Sequence, residues 1–292
     1  MELNGRVVLI TGAARGFGAA LARRCSAAGA KLALIGLEPE ALEALAAELG
    51  GPGRAAWAYA DVTDLESVEA AVQSCIGELG GIDVAVANAG ILTTAPIATA
   101  DPEGFQRTMD VNVGGVFHTI RATLPAVTER KGYYLVISSL AAFAHSPVMG
   151  AYVASKAGVE ALADAARLEL QPLGVQVGIA YPGWADTDLL RDAESDLPSF
   201  KAGRAAMPFP FNQTVTADTV VEALFQAIVK RRQRTFVPGW VGIMGWTRMV
   251  ISSKLGDLIQ GRSSRQMVTE SQREVAALGH TLSARYRTKS EA

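Results

Sequence analysis

Residues 7–18 read Val7-Val8-Leu9-Ile10-Thr11-Gly12-Ala13-Ala14-Arg15-Gly16-Phe17-Gly18, an apolar run that empties into a cluster of glycines. A run with no polar alternation suits a strand buried on both faces. Glycines at 12, 16 and 18 allow a sharp turn and let a ligand approach the first turn of the next helix. Free N–H groups there favour an anion such as a pyrophosphate. The spacing is G-x-x-x-G-x-G rather than the commoner G-x-G-x-x-G. In a chain with 29 glycines, a plain tight turn is the competing reading.

Outward from this stretch, apolar runs recur at 31–35, 55–60, 84–87, 134–138, 175–180 and 235–237. Helical patterns lie between them: 41–49, 65–79 after a Thr63/Asp64 cap signal, and 155–170 ahead of Pro172. Strand and helix in alternation predict a doubly wound, Rossmann-type α/β fold. It would hold a parallel sheet of about seven strands with helices on both faces. Such sheets bind ligands beyond the C-terminal ends of their strands. One domain is expected over 1–237. After Pro238-Gly239-Trp240 the pattern changes, and 240–260 and 265–286 read as two basic, partly apolar helices of an extension, 238–292.

The chain has 292 residues, 49% hydrophobic and 19% charged, so it can bury a large core and is neither disordered nor built on disulfides. Cys25 and Cys75 suit a reducing compartment. His118, His145 and His280 are scattered, so no metal set is expected. The N-terminus lacks the charge and apolar pattern of a signal peptide, and a cytoplasmic location is expected. The net charge of −2 hides an asymmetry: residues 230–292 carry 12 basic and 4 acidic side chains, net +8, leaving 15 against 25, net −10, for 1–229. No motif that reads nucleic acid accompanies the basic segment.

Four further signals carry chemistry. Asp61-Val62 follows the third strand, where a carboxylate accepts a hydrogen bond from an adenine amino group or caps the next helix. Asn88-Ala89-Gly90 follows the fourth, where small residues let a ribose and flat ring lie on the backbone or merely make a turn. Tyr152-x-x-x-Lys156 puts a phenol and an ammonium on one helix face, and the ammonium favours the phenolate. Ser139 stands thirteen residues before Tyr152 at a strand end, where its hydroxyl holds a substrate oxygen against the phenol.

Together these residues resemble the short-chain dehydrogenase/reductase family over about residues 5–237. Residues 11–18, Asp61, 88–90, Asn112, Ser139, Tyr152, Lys156 and Pro182-Gly183 through Thr187 occur in that family's order and spacing. The resemblance implies hydride transfer between a nicotinamide and an alcohol or carbonyl carbon. Tyr152 would pass the proton, Ser139 would polarise the substrate oxygen, and Lys156 would bind the ribose and tune Tyr152. Asn112 would hold a water linked to Lys156. Pro182, Gly183, Trp184 and Thr187 would line the nicotinamide. Phe17 stands where Ile is common, and Ala87 where the family has a first Asn. Gly36 occupies the place of the aspartate that grips a 2′-hydroxyl in NAD-preferring members. Without that carboxylate, and with Arg15 able to reach a 2′-phosphate, the reading taken is NADP over NAD. Leu37 adds no second cation, and Glu38 brings a negative charge.

The long apolar stretch 188–215 reads as a lid, and His145, Met149, Trp184 and Leu189 as candidates to line the substrate. Their character suggests a lipophilic alcohol, aldehyde or ketone, although the same residues would also simply pack the lid. The extension resembles an interfacial membrane helix, and packing on the domain or over the substrate mouth explains its pattern equally. By resemblance, a homodimer or homotetramer forms through 105–130 and 152–170. Two other functions compete on the same fold. An epimerase or enoyl reductase would want an extra acid–base pair or altered tyrosine spacing. A non-catalytic dinucleotide sensor would show a damaged Asn112, Ser139, Tyr152, Lys156 set.

Overall fold

A computed structural model describes residues 1–251 and 253–278. Seven strands form one parallel sheet: β1 (Val7–Thr11), β2 (Lys31–Gly36), β3 (Ala55–Tyr59), β4 (Val84–Ala87), β5 (Tyr133–Ile137), β6 (Gln176–Pro182) and β7 (Arg234–Val237). Their order is β3-β2-β1-β4-β5-β6-β7. The direction of winding therefore reverses between β1 and β4, which opens a crevice at their C-terminal ends. Register is in step across the crevice, with Val8, Leu9 and Ile10 beside Val84, Ala85 and Val86.

Helices α1 (Gly16–Ala27), α2 (Pro39–Glu48), α3 (Leu65–Leu79), α4 (Pro102–Met109), α5 (Gly115–Glu129) and α6 (Gly150–Leu170) alternate with the strands. Alternate residues of the strands feed two separate cores. Leu9, Ile35, Ala85 and Val136 meet Val68 and Val72 of α3, Ile120 of α5 and Val159 of α6. Val8, Ile10, Leu34 and Val86 meet Leu21 of α1, Leu42 of α2 and Leu224 of a later helix. This is why the strands read as continuous apolar runs: both faces are covered.

Local signals account for most boundaries. Asp64 caps α3 by accepting from Glu66 N at 3.0 Å, and Gly80 ends it in the left-handed region. Several boundaries differ from the sequence reading by a few residues or more. Helix α6 starts at Gly150, five residues before the expected 155, because Gly150 begins the helix instead of belonging to the preceding turn. Between α4 and α5 the chain does not break; Asp110–Gly114 forms a π-helical turn that carries Asn112.

Beyond β6 lie α7 (Asp188–Asp196), α8 (Pro198–Ala205), α9 (Ala217–Lys230), α10 (Val241–Ile251) and α11 (Lys254–Leu278). The first tail helix ends at Ile251 where 260 was expected, and the second begins at Lys254 where 265 was expected. The remainder of the expected second tail helix, with His280, lies outside the described residues. Helices α7, α8 and α11 share a third apolar cluster containing Leu190, Leu197, Phe200, Met267 and Val275. Ser199 N donates to Glu274 Oε1 at 3.0 Å, and the Ser199 and Ser271 hydroxyls are 2.7 Å apart. The stretch 188–215 is thereby fastened to the extension.

Candidate active site

The loop after β1 is held by main-chain geometry. Gly12 and Gly16 adopt φ of +63° and +55°, where a side chain is strained. At Gly18 a Cβ would lie 2.2 Å from the Gly12 carbonyl oxygen, so α1 packs closer to the loop than any other residue allows. Asn88 at the end of β4 donates its Nδ2 to Thr11 O at 2.9 Å and Gly12 O at 3.2 Å. Thr11 Oγ1 accepts from Asn88 N at 3.1 Å and Ala89 N at 3.3 Å. Asn88 therefore pins the glycine loop to the neighbouring strand. The N-terminus of α1 receives no side-chain cap from Arg15. A helix start free of a side-chain cap, beside a glycine cradle, fits an anionic diphosphate.

Past the glycine loop the crevice continues to the ends of β2 and β3. Gly36 closes β2, and Leu37 follows it. A Cβ on Gly36 would stand 3.7 Å from Glu38 Oε2. Glu38 accepts from Arg15 Nε at 3.2 Å, with both side chains partly exposed. Past β3, Asp61 accepts from Thr63 N at 2.9 Å, Thr63 Oγ1 at 2.8 Å and Arg107 Nη2 at 3.1 Å. Burial pushes its carboxyl up, but these bonds and the Arg107 charge outweigh it and hold Asp61 below the usual range. Helix capping falls to Asp64, so Asp61 is left to shape this end. Val62 packs against α5, where a Cβ at Gly115 would come within 2.7 Å of Val62 Cγ2.

The chemistry-bearing residues meet at the ends of β4, β5 and β6. Lys156 is buried on the second turn of α6 and donates to Ile137 O at 3.0 Å. Burial drops its pKa to about 8. Its Nζ stands 5.6 Å from the Tyr152 ring centroid, one helical turn away as the i, i+4 spacing requires. Ser138 Oγ donates to Lys156 O at 3.0 Å, which fixes α6 to β5. Ser139 follows in extended conformation and accepts from Ala141 N at 3.2 Å.

Asn112 is fully buried in its π-helical turn. Its Oδ1 accepts from Ile91 N at 2.8 Å, and its Nδ2 donates to Ile91 O at 3.0 Å and Ser155 Oγ at 2.9 Å. Both amide hydrogens are thus engaged in tying the chain after β4 to α6. A Cβ on Gly90 would meet Asn112 Oδ1 at 3.2 Å and Lys156 Nζ at 3.5 Å, so glycine keeps this floor open.

One cavity of about 450 Å³ brings Ser139, Tyr152 and Lys156 together with Phe17, Asn88, Gly90, Pro182, Gly183 and Thr187. His145, Met149, Trp184 and Leu189 line it too. Met149 follows Val148, a branched residue held at φ +60°, and Val148 O accepts from Ala95 N at 2.7 Å. On the lid side, Arg204 and Glu194 form a largely buried ion pair, and the guanidinium stands 5.7 Å from the Trp184 ring centroid. Met244, Thr247 and Val250 of α10 and Met267 of α11 complete the wall. These last residues were not singled out as lining from the sequence. Their only signal was helical spacing in a tail that fitted several placements. Among the described residues no group of His, Cys, Asp and Glu is arranged to hold a metal ion.

Residues 6–198 match the family model of the short chain dehydrogenases. The 3-alpha-(or 20-beta)-hydroxysteroid dehydrogenase of Mycobacterium tuberculosis is 36% identical over 215 residues, 73% of this chain and 82% of that protein. The trans-4-hydroxycyclohexanecarboxylate dehydrogenase of Sinomonas cyclohexanicum is 34% identical over 208 residues, 69% of this chain and 80% of that one. A glycine betaine reductase of Emericella nidulans is 38% identical over 198 residues, 66% of this chain but only 16% of that larger protein. In fold, a Burkholderia phymatum short-chain dehydrogenase/reductase solved with NAD superposes with TM-score 0.73 at 22% identity, covering 86% of this chain and 95% of that one. With the family model matching about two thirds of its length and a relative 36% identical over most of both chains, this chain belongs to the short-chain dehydrogenase/reductase family and is an NAD(P)-dependent oxidoreductase of alcohols and carbonyls.

Proposed function

We propose that the enzyme interconverts an apolar, ring-sized secondary alcohol and its ketone, with Tyr152, Ser139 and Lys156 performing the proton chemistry. The observation that carries this reading is the joining of those three side chains to one largely apolar cavity, walled by residues such as Met149, Trp184, Leu190 and Met267. The hydroxysteroid named for one relative is of this class, and the hydroxycyclohexanecarboxylate named for another shares its secondary ring alcohol while carrying a carboxylate.

The nicotinamide, when bound, accepts or supplies the hydride. Tyr152 OH gives its proton to the substrate oxygen in reduction and takes it back in oxidation. Ser139 Oγ donates a hydrogen bond to the same oxygen and polarises it. The Lys156 ammonium favours the tyrosinate by its charge. Asn112 is a positioning residue, holding α6 and the Ile91 backbone in register. Purified protein incubated with either cofactor and a series of cyclic alcohols from cyclohexanols to steroids should show turnover rising with apolar size. Equal activity on small polar alcohols and none on the ring series would overturn the reading.

The pH profile carries its own sign. A lysine is charged below its pKa, and burial brings that of Lys156 to about 8. Its help is present below about pH 8 and lost above. For reduction, kcat/KM should fall about tenfold per pH unit on the alkaline side, and Lys156→Met should lower the rate about 10²-fold and displace that limb. An unmoved limb in the variant would assign it to another group.

For the cofactor, the Arg15–Glu38 pair turns the reading towards NAD. Glu38 supplies the carboxylate that Gly36 lacks and neutralises the cation a 2′-phosphate needs. Glu38→Gln should therefore shift the ratio of NADPH to NADH affinity about tenfold towards NADPH, a modest effect because the pair is partly solvated. Adding Arg15→Ala should reverse it. Nicotinamide fluorescence titrations read both, and a wild-type preference for NADPH would restore the expectation from the sequence.

Assembly as a homodimer or homotetramer would use the outer faces of α4, α5 and α6. Exposed Phe105, Phe117 and Leu168 lie there and support that choice.

A further inference from the structure

Helix α10 is apolar on more than one face. Gly242 and Gly245 let it press on the domain, where a Cβ would meet Phe236 at 3.0 Å and Phe143 at 3.7 Å. Met244 and Thr247 turn into the cavity. A third face points away from the protein: Ile243, Trp246 and Met249 are 66%, 91% and 82% exposed. Val250 belongs both to this face and to the cavity wall. In the loop between Pro208 and Phe211, which also wall the cavity, Phe209 is 75% exposed. Two segments that enclose the substrate space therefore present large apolar side chains to solvent.

No helix among the described residues is long and apolar enough to cross a membrane. A short helix with an apolar outer face beside basic residues can instead lie in a bilayer interface. Arg248 on α10, and Lys254 and Arg265 on α11, are exposed. Arg248 shares its charge with Glu160 Oε2 at 3.6 Å, while the extension, residues 238–292, carries 8 basic and 4 acidic side chains, net +4, leaving 19 against 25, net −6, for 1–237. That division of charge orients the molecule at an anionic surface, with the extension attracted and the sheet domain repelled. It also disfavours a second copy as occupant, because a two-fold contact through this face would bring like charges together.

We propose that the outer face of α10, with Phe209, docks this enzyme on an anionic lipid surface, so that apolar substrate enters the cavity from the bilayer. The entry route rests on the apolar-substrate reading; the docking does not.

The test is flotation of the full chain with phosphatidylcholine vesicles, with and without about 30% phosphatidylglycerol, at low and high salt. Recovery should need the anionic lipid, fall at high salt, and drop about tenfold in Trp246→Glu/Met249→Glu. Because both side chains are exposed, the double variant should keep its melting temperature and its turnover of a water-soluble alcohol. Tryptophan emission should shift blue with vesicles in the wild type and less in Trp246→Phe. Equal recovery of wild type and double variant, or none of either, overturns docking. So does an oligomer that the double variant dissociates in the absence of lipid binding, which would assign the face to a second copy. If docking holds and no ring alcohol is turned over in solution or in vesicles, the substrate reading fails alone.

Discussion

Replacing Tyr152 with phenylalanine is expected to lower turnover by about 10³-fold or more while cofactor affinity stays within about twofold. The ring remains and packs as before, so the first turn of α6 and the position of Lys156 should be undisturbed. What disappears is the one O–H that lies on the same helix face as the Lys156 ammonium and in the same cavity as Ser139. Steady-state rates together with nicotinamide fluorescence separate the two effects. A variant that binds cofactor and does not turn over supports the proton role; retained turnover would move that role to another residue. Loss of binding as well would show that the substitution had disturbed the site. Wild-type protein that bound cofactor but turned over nothing would favour the non-catalytic sensor.

Gly18→Ala should be the most damaging single methyl group in the cofactor crevice. Its Cβ would lie 2.2 Å from Gly12 O and 2.9 Å from its carbonyl carbon and from Asn88 Nδ2. Both contacts at Gly12 are backbone, so no rotamer relieves them; α1 and the loop after β1 must part by about an ångström. Overpacking of this kind costs about 3 kcal/mol, and the Asn88 bonds to Thr11 and Gly12 would stretch with it. A thermal midpoint several degrees lower and cofactor affinity reduced at least about tenfold are expected. Gly77→Ala is the control, because nothing lies within 4 Å of a Cβ there. Alanine at 18 that melted and bound cofactor like wild type would mean the loop has slack that the contact distance denies.

Much of this was legible in the sequence for a common reason. A sheet covered on both faces demands runs such as Val7–Thr11 and Val84–Ala87 to be apolar throughout, so strand positions and their alternation with helices determine a doubly wound topology. The glycine loop and the Tyr152–Lys156 pair were legible because their geometry is local: a turn, or one helical repeat. The start of α6 was not, since Gly150 is a poor helix former whose place is decided by the elements packed around it.

Long-range contacts decided the rest. The sequence shows Glu38 close to Gly36 but Arg15 more than twenty residues away; only folding joined Arg15 to Glu38 across the end of β2. Asn88 reads in the sequence as a ligand contact and Asn112 as the holder of a water; only the fold shows that their side-chain amides also bond the backbone at Thr11, Gly12 and Ile91. The tail fitted several placements equally, because an apolar stripe does not name what it packs against. Ser199, Ser271 and Glu274, up to 75 positions apart, settled that α11 packs on α8, and Met244 and Met267 make the extension a wall of the cavity. Periodicity specifies which side of an element is apolar; the partner that side meets is specified only when the whole chain is packed.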